Sequence, residues 1–519
     1  MERDRTLTGR MEGGYREYSL MAREALGNGL SPDARAPRNT PYAETMQNLQ
    51  PLGYAAATPD EITNPVTNGP TPNWATDGTV QLFRGEANRW VMGQTQAYSA
   101  DESWDASAVG ATFSAGTHPW RGVFFDEIPF FTNSDVFLWG TGLSRVTTPT
   151  VLGVGKHEGR LLLGGMAGDV FSSDVFGRVF QKWKDMNDSD RIAYSTQSWG
   201  LGWMMFGERG GGSSDRPFDA LLSLLDMYTS QNQTDMEGHV MSRLEDREWG
   251  FALLRSPGAI QAFHELDDAP IVFGTNGVAR LMPDGDIYRD QRLSGIGIAA
   301  PAAVGGDLDA CVYLTPEREL WKITPQQRPR RLKFSQHLGS LTLADVTISF
   351  DSLERTWWIA DKAQAFILDD DDRLGGPMEI VPTSLVRDGG NLYGIARDTR
   401  SDDTKRTVLF RSLPLDIGER GRKMAQVIQV SREGVTNLSA GVDYRYNDET
   451  STFRSGALCQ GRKDGSVMLY PKVQFNDAKI KVQGDVANGT RGVIDRLRFQ
   501  YQADDITTTR GTRGVPRGD

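Results

Sequence analysis

Short apolar runs bounded by turn residues dominate the chain from about residue 79 onward. Runs such as 79–83, 136–139, 270–273 and 355–359 are rich in β-branched or aromatic side chains, which is typical of β-strands. Several runs form pairs across a tight turn, as at Asn276-Gly277, a dipeptide that favours two-residue hairpins. The pattern therefore predicts a series of β-hairpins.

The hairpins recur at a regular spacing. Phe273, Tyr313 and Trp358 occupy equivalent places in three of them and are separated by 40 and 45 residues. Units of about 40–45 residues that contain hairpins are typical of four-stranded propeller blades. The span 79–415 would hold roughly seven such units, and we expect six to eight blades, with 160–171 and 392–410 as less clear members.

One stretch, near 177–230, breaks this texture. Four apolar residues in it share one face of a helix, at spacings of i, i+3, i+4 and i+7: Phe218, Leu221, Leu222 and Leu225. We expect a helical insertion here, which either covers an open blade face or serves as a docking element.

The two ends of the chain differ from the middle. Residues 1–78 are proline-rich with almost no periodic apolar pattern, so we expect an extended arm that is flexible or wraps over a neighbour. In 420–505 apolar and polar residues alternate, as at Leu497, Phe499 and Tyr501, which predicts a smaller antiparallel β-domain. Residues 506–519 read as a flexible tail. The expected fold class is all-β: a propeller with a helical insertion and this C-terminal domain.

Composition limits the possible functions. The 57 Lys+Arg and 68 Asp+Glu give a net charge of −11, which argues against gripping nucleic acid with a net positive field. Cys311 and Cys459 are too few for a disulfide framework or a four-thiolate zinc site. The N-terminus lacks the apolar core of a signal peptide, and no run is long enough to span a bilayer. We expect a protein that stays in the cytosol or leaves it within a particle.

Sequence motifs do not indicate catalytic chemistry. No two of the five histidines (His118, His157, His239, His264 and His337) are four residues apart, so a histidine metal site would need long-range convergence. The acidic run 369–372 lacks the alternating ligands of an EF-hand and reads as a charged hairpin tip. The glycine-rich 207–214 lacks a P-loop ending and reads as a flexible loop. We therefore expect no catalytic, cofactor-binding or metal-ligating residues and no cofactor.

Two alternatives to a purely structural role remain open. A propeller glycoside hydrolase or lyase would need carboxylates that converge at one face, and the spacing of the acids selects no such pair. Tryptophans could line a sugar site, although in propellers aromatic side chains more often fill the gaps between blades. A monomeric propeller that binds one partner is the other alternative.

Several segments are similar to a known family. WRGVFFDEIPFFTN (120–133), GRLLLGG (159–165) and VFGTNGV (272–278) resemble a family of virion proteins of short-tailed bacteriophages. GIGIAAPAAVGG (295–306) with ELWKI (319–323), and DIGERGRK (416–423) leading into VIQV (427–430), resemble it too. The family comprises tail-tube nozzles and packaged-DNA-stabilising hubs, and the resemblance covers roughly 79–505.

The resemblance implies a non-enzymatic function. In such a family each subunit contributes a β-propeller to a hexameric ring, and the ring encloses the channel through which double-stranded DNA leaves without sequence-specific binding. The ring docks on the adaptor, or head-to-tail connector, and supports tail fibres or tailspikes. The implied location is the virion tail, with assembly in the host cytoplasm.

Overall fold

A computed structural model of the chain describes the following residues: 15–17, 26–32, 42–67, 80–113, 118–125, 128–139, 144–146, 151–157, 160–165, 203–208, 249–254, 256–284, 287–399, 404–415, 423–445, 453–460, 466–469, 473–475 and 477–503. The chain divides into two compact units. The propeller unit comprises Ile62–Ala365 and Ile380–Thr399. The β-domain unit comprises Met1–Glu61, Phe366–Glu379 and Arg400–Asp519.

The described residues form strands β1 to β40, with two short 3-10 turns at Leu338–Ser340 and Leu343–Asp345. The strands up to the first blade are β1 (Tyr15–Glu17), β2 (Ala43–Gln47), β3 (Gln50–Leu52), β4 (Ala55–Ala57), β5 (Ile62–Thr63) and β6 (Val66–Thr67). Blades 1 to 3 comprise β7 (Gln81–Arg84), β8 (Arg89–Met92), β9 (Gln96–Ala100), β10 (Asp105–Thr112), β11 (Arg121–Phe125), β12 (Ile128–Thr132), β13 (Phe137–Trp139), β14 (Ser144–Val146), β15 (Gly153–His157), β16 (Arg160–Gly164), β17 (Trp203–Glu208) and β18 (Trp249–Leu253).

Blades 4 and 5 comprise β19 (Ile260–Glu265), β20 (Pro270–Gly274), β21 (Val278–Asp284), β22 (Ile287–Ser294), β23 (Val304–Gly306), β24 (Cys311–Leu314), β25 (Leu320–Ile323) and β26 (Arg330–Lys333). The remaining strands are β27 (Thr347–Asp351), β28 (Thr356–Ala360), β29 (Ala365–Leu368), β30 (Leu374–Met378), β31 (Ile380–Asp388), β32 (Asn391–Asp398), β33 (Lys405–Ser412), β34 (Lys423–Glu433), β35 (Val435–Arg445), β36 (Cys459–Gln460), β37 (Ser466–Leu469), β38 (Val473–Phe475), β39 (Asp477–Ala487) and β40 (Val493–Ala503).

The propeller is closed and has seven blades. The first strand of each blade contacts the first strand of the next, in the order β7, β11, β15, β19, β23, β27 and β31, and β31 contacts β7. Blades 1 to 5 each contain four consecutive antiparallel strands, blade 6 contributes β27 and β28, and blade 7 is built on β31 and β32. The propeller expected from the sequence, with six to eight blades, is confirmed.

Residues that precede blade 1 complete the ring. Strand β5 pairs in parallel with β32 of blade 7, and β6 pairs in parallel with β10 at the outer edge of blade 1. The segment 62–67 thus joins the last blade to the first through backbone hydrogen bonds. Such strands need only a free sheet edge as a partner, so they require no periodic apolar pattern of their own.

The observed blades explain the spacing of the hairpins. Phe273, Tyr313 and Trp358 lie in β20, β24 and β28, the second strands of blades 4, 5 and 6. The rings of Phe273 and Tyr313 are 5.4 Å apart between centroids and belong to one apolar cluster shared by these two blades. Trp120 and Trp104 are likewise buried in clusters that join blade 2 to blade 1 and blade 1 to blade 7, so here aromatic side chains fill the gaps between blades.

The β-domain is built on long strands with strict alternation. Strand β39 pairs with β33 and β35, while β34 pairs with β40, β37 and β38. Along β39 every second side chain up to Val486 is buried, which confirms half-buried strands here. Gly434, at a φ of 65°, makes the turn by which the chain passes from β34 into β35.

The unit boundaries differ from those expected. Strands β2 and β4 pair with β33 and β40, so part of the expected arm 1–78 belongs to the β-domain and 62–67 belongs to the propeller. Strand β33 also belongs to the β-domain, because it pairs with β39 and every second side chain along it is buried. The sequence had assigned it to the propeller span 79–415. The expected helix at 218–225 lies outside the described residues, and within 177–230 the described part is strand β17 of blade 3.

Candidate functional site

A cavity of about 190 Å³ lies among the first strands of the propeller. Residues of six blades line it, among them Gln81, Arg121, Val154, Phe263, Val304 and Ser349. Most lining residues have apolar side chains, while polar and apolar atoms share the lining surface about equally. The lining residues include no carboxylate in the described part of the chain. The cavity is concave and combines apolar side chains with a few polar groups, a combination found in small-molecule sites.

Arg121 is the charged residue of this lining. It opens strand β11 of blade 2, and its Nη2 donates a 2.9 Å hydrogen bond to Ser134 Oγ in the turn between β12 and β13. Arg121 Nε and Nη1 are shielded from solvent and have no hydrogen-bond partner within the described residues. Burial lowers the pKa of Arg121 to about 9, because a guanidinium removed from water without a counter charge is destabilised.

Two further nitrogens without a partner in the described part of the chain lie near Arg121, one shortly before it in the chain and one beside Ser134 in the β12–β13 turn. Among the described atoms, His118 Nδ1 and Asn133 Nδ2 are buried without a hydrogen-bond partner. Burial, and secondarily the positive charge of Arg121, lowers the pKa of His118, so His118 is neutral at pH 7. Arg121 and Asn133 at this end of blade 2 therefore carry N–H groups without acceptors among the described atoms, whereas Nδ1 of a neutral His118 is a donor or an acceptor according to its tautomer.

A second polar feature runs around the other end of the first strands. We call the turn between the first and second strands of a blade its inner turn. Asp388, at the inner turn of blade 7, accepts hydrogen bonds from Arg89 Nε at 2.5 Å and Trp104 Nε1 at 3.0 Å, both in blade 1. Arg84 Nε lies 3.1 Å from its other oxygen. The hydrogen bond from Arg89 is the main cause that holds the pKa of Asp388 below its usual value.

The same pattern continues through blades 7, 6 and 5. Arg387 of blade 7 forms a buried, two-point ion pair with Asp351 of blade 6, with Nε 2.8 Å from Oδ1. Arg355 lies at the inner turn of blade 6. Its Nη1 is 3.3 Å from Oδ2 of Asp307 and 3.3 Å from Oδ2 of Asp309, both in blade 5. Each contact joins neighbouring blades, so these charges act as links between blades.

Two histidines extend these links. His264 Nε2, in blade 4, donates a 2.9 Å hydrogen bond to the carbonyl oxygen of Asp307 in blade 5. Burial lowers the pKa of His264, so the ring is neutral at pH 7 and Nε2 carries the proton. His157 Nδ1, in blade 3, lies 4.0 Å from Glu265 of blade 4. Polar contacts thus run along the inner turns from blade 3 to blade 7 and on to blade 1.

The acidic run 369–372 forms the tip of the β29–β30 hairpin, as the sequence predicted. Asp369 is tied to Arg373, whose Nε lies 2.6 Å from Asp369 Oδ2, and Arg373 Nη2 lies 2.9 Å from Asp371. In the described ranges no group of three or more His, Cys, Asp or Glu side chains could hold a metal ion. His239 and most of the glycine-rich 207–214 lie outside these ranges.

The sequence did not single out Arg121, although it lies within the segment 120–133. Arg121 contacts Ser134 and lines a cavity shared with other blades. The residues near Arg121 in the chain do not indicate these contacts. The inner-turn charges were likewise not recognised, because Asp351 and Arg387 are far apart in sequence.

No protein-family model and no curated protein matches the sequence. Solved structures of propeller proteins are similar to it at low identity. Selenomethionine-substituted virginiamycin B lyase from Staphylococcus aureus is 11% identical over 64% of this chain and 92% of that chain, with a TM-score of 0.36. The WD40 domain of Pan2 from Neurospora crassa is 10% identical over 63% and 91%, with a TM-score of 0.34.

Hsv2 from Kluyveromyces lactis is 9% identical over 59% of this chain and 85% of that chain, with a TM-score of 0.32. These similarities concern the fold alone. A search of the described residues finds no helix both long and apolar enough to cross a membrane.

Proposed function

We propose that the chain is a structural protein of a short-tailed bacteriophage, a tail nozzle or hub whose hexameric ring closes the tail channel, retains packaged DNA and conducts it at ejection. The resemblance of segments between 120 and 430 to that family supports the proposal. In this role the chain is a rigid structural subunit of the ring and does not catalyse a reaction.

The proposal rests on the observation that charged residues at the inner turns form ion pairs between neighbouring blades. Asp388, Asp351 and Asp307 are each engaged by an arginine of a neighbouring blade. Removing one partner of a buried pair is costly, so the Asp351 and Asp388 links resist separation of the blades. The more exposed pair of Arg355 and Asp307 contributes less. A ring that retains packaged DNA needs subunits that keep their shape under load.

Charge is consistent with a conduit. Each copy carries a net charge of −11, so a ring of several copies is strongly negative and would not hold DNA tightly. DNA would pass through the lumen of the ring without sequence-specific binding. A closed ring requires head-to-tail contacts between copies.

The proposed partners follow from the position at the tail. One side of the ring would dock on the adaptor, or head-to-tail connector, and the ring would support tail fibres or tailspikes. The protein would assemble in the host cytoplasm and function in the virion.

Genetic removal tests this function. Phage that lack the gene are expected to yield particles that lose DNA or fail to infect, and expression of the chain in trans should restore them. Intact, infectious particles made without the protein would contradict the proposal. Purified protein is expected to leave host polysaccharides intact, whereas sustained turnover would point to a propeller lyase or hydrolase.

A further inference from the structure

The central cavity of the propeller is electrostatically unbalanced. Arg121 brings a positive charge to a lining that contains no carboxylate among the described residues. Asp135, in the turn next to Ser134, is exposed, and burial is the cause that dominates at Arg121. His118 is neutral at pH 7 because burial lowers its pKa.

The hydrogen-bond inventory shows the same imbalance. Arg121 Nε and Nη1 carry three N–H groups, and Asn133 Nδ2 carries two more. None of these nitrogens has an acceptor in the described part of the molecule. Buried polar groups in native proteins are nearly always paired. Arg121 lines the cavity and Asn133 does not, so Arg121 is the residue that would gain a partner from an acceptor atom bound there.

We propose that this cavity binds a small monocarboxylate, with Arg121 as its counter charge. This is a binding site distinct from the proposed role in the tail, and it does not depend on that role.

Charge favours a carboxylate over phosphate. A carboxylate brings one negative charge against the single guanidinium, whereas a phosphate monoester carries about −1.5 to −2 at pH 7 and would leave excess charge buried. Arginine also matches the planar carboxylate group in its hydrogen-bond geometry.

The walls favour a ligand with an apolar body. Phe83, Phe263, Val154 and Ile348 line the cavity, and they would contact a short alkyl or aromatic group. At about 30 Å³ per water in the liquid, a volume of about 190 Å³ is large enough for several waters or for one small organic acid. Apolar walls gain more from the organic acid, because it removes apolar surface from water.

Binding requires a local rearrangement. Nε and Nη1 are shielded from solvent in the structure, so the guanidinium must turn toward the cavity to pair with a ligand. Ser134 holds it at Nη2 and would act as a positioning residue. We expect Ser134→Ala to weaken carboxylate binding less than loss of Arg121 does.

The test is the stability of the full chain in sodium acetate, propionate and benzoate, compared with chloride and phosphate at equal ionic strength. A ligand at 100 times its Kd shifts the unfolding equilibrium about 100-fold. We expect the carboxylates, and benzoate most, to raise the unfolding midpoint of the wild type and to leave that of Arg121→Met unchanged. Arg331→Met, at an exposed arginine, is the matched control and should respond as the wild type does.

Arg121→Met is also expected to be at least as stable as the wild type without ligand, because it removes an uncompensated buried charge. If that variant does not fold, saturable binding of ¹³C-acetate to the wild type, displaced by benzoate and not by chloride, would support the site. Equal responses to carboxylates and chloride, equal responses of wild type and Arg121→Met, or no saturable acetate binding would overturn the proposal and leave water as the occupant.

Discussion

Arg387 Nε lies 2.8 Å from Asp351 Oδ1, and the two side chains, 6% and 2% exposed, join blade 7 to blade 6. Replacing Arg387 by alanine would leave the Asp351 carboxylate buried without its counter charge. We expect Arg387→Ala to destabilise the propeller by about 3–5 kcal/mol, measured as the loss in the free energy of urea unfolding.

Two comparisons make this prediction specific. The double variant Asp351→Leu/Arg387→Met replaces both charges by apolar groups and should be closer to the wild type than Arg387→Ala is. Arg331→Ala breaks an exposed pair with Glu319 and should cost at most about 1 kcal/mol. An effect of Arg387→Ala no larger than that of Arg331→Ala would show that the pair is not a structural link.

The interaction of Asp388 with Arg89 should make the stability of the folded protein depend on pH. Its hydrogen bond from Arg89 lowers the pKa of the folded carboxylate below the unfolded value of about 3.9. Its contribution is therefore fully present above about pH 5 and is lost as the pH falls below about 4, through the folded pKa. Asp388→Asn should be less stable than the wild type at pH 7, and the difference should shrink toward pH 3.

Urea midpoints measured from pH 7 to pH 3 check this, with Glu317→Gln, at an exposed carboxylate, as the control. A difference between wild type and Asp388→Asn that stays constant down to pH 3 would contradict the assigned role of the ionised carboxylate.

Gly155 of blade 3 faces Phe263 of blade 4 at close range. A Cβ added at Gly155 would lie 2.6 Å from Phe263 Cβ, an atom fixed by the backbone. We expect Gly155→Ala to cost about 1–3 kcal/mol in the free energy of unfolding, through overpacking. The added Cβ at Gly153 would lie 3.1 Å from Phe263 Cδ2, so Gly153→Ala should cost less.

Gly339→Ala is the neutral control, because a Cβ there meets no atom within 4 Å. The three variants should rank by chemical denaturation as Gly155→Ala, Gly153→Ala and Gly339→Ala, from most to least destabilised. The reverse order would mean that blades 3 and 4 are not packed as described.

Cys311 should be chemically inert in the folded protein. Its side chain is fully buried in strand β24, and burial raises the pKa of its thiol, which suppresses the reactive thiolate. In a Cys459→Ser background, a thiol reagent should label Cys311 only after denaturant unfolds the chain. Rapid labelling under native conditions would contradict its buried position.

The blade repeat was predictable because it is local and periodic. Phe273, Tyr313 and Trp358 lie in the second strands of three successive blades, and each strand is followed by a tight turn. The spacing of these residues along the chain therefore indicates the blade repeat. The β-domain was predictable for the same reason, since alternation such as that at Leu497 and Phe499 depends only on one buried face.

The closure of the propeller was not predictable. Strands β5 and β6 are two residues long, and β5 is defined by its partner, β32, more than 300 residues later in the chain. The same holds for Arg121, whose surroundings are set by Ser134 and by the residues of other blades that line the cavity, among which the described ones include no carboxylate. Long-range pairing decides both features, and a single sequence does not encode it in a local pattern.

The composition and symmetry of purified virions test the proposed role in the phage tail. Quantitative mass spectrometry should find this chain at the stoichiometry of a hexameric ring, and averaged images should place ring density at the tail tip. Absence of the chain from purified, infectious virions would contradict the account.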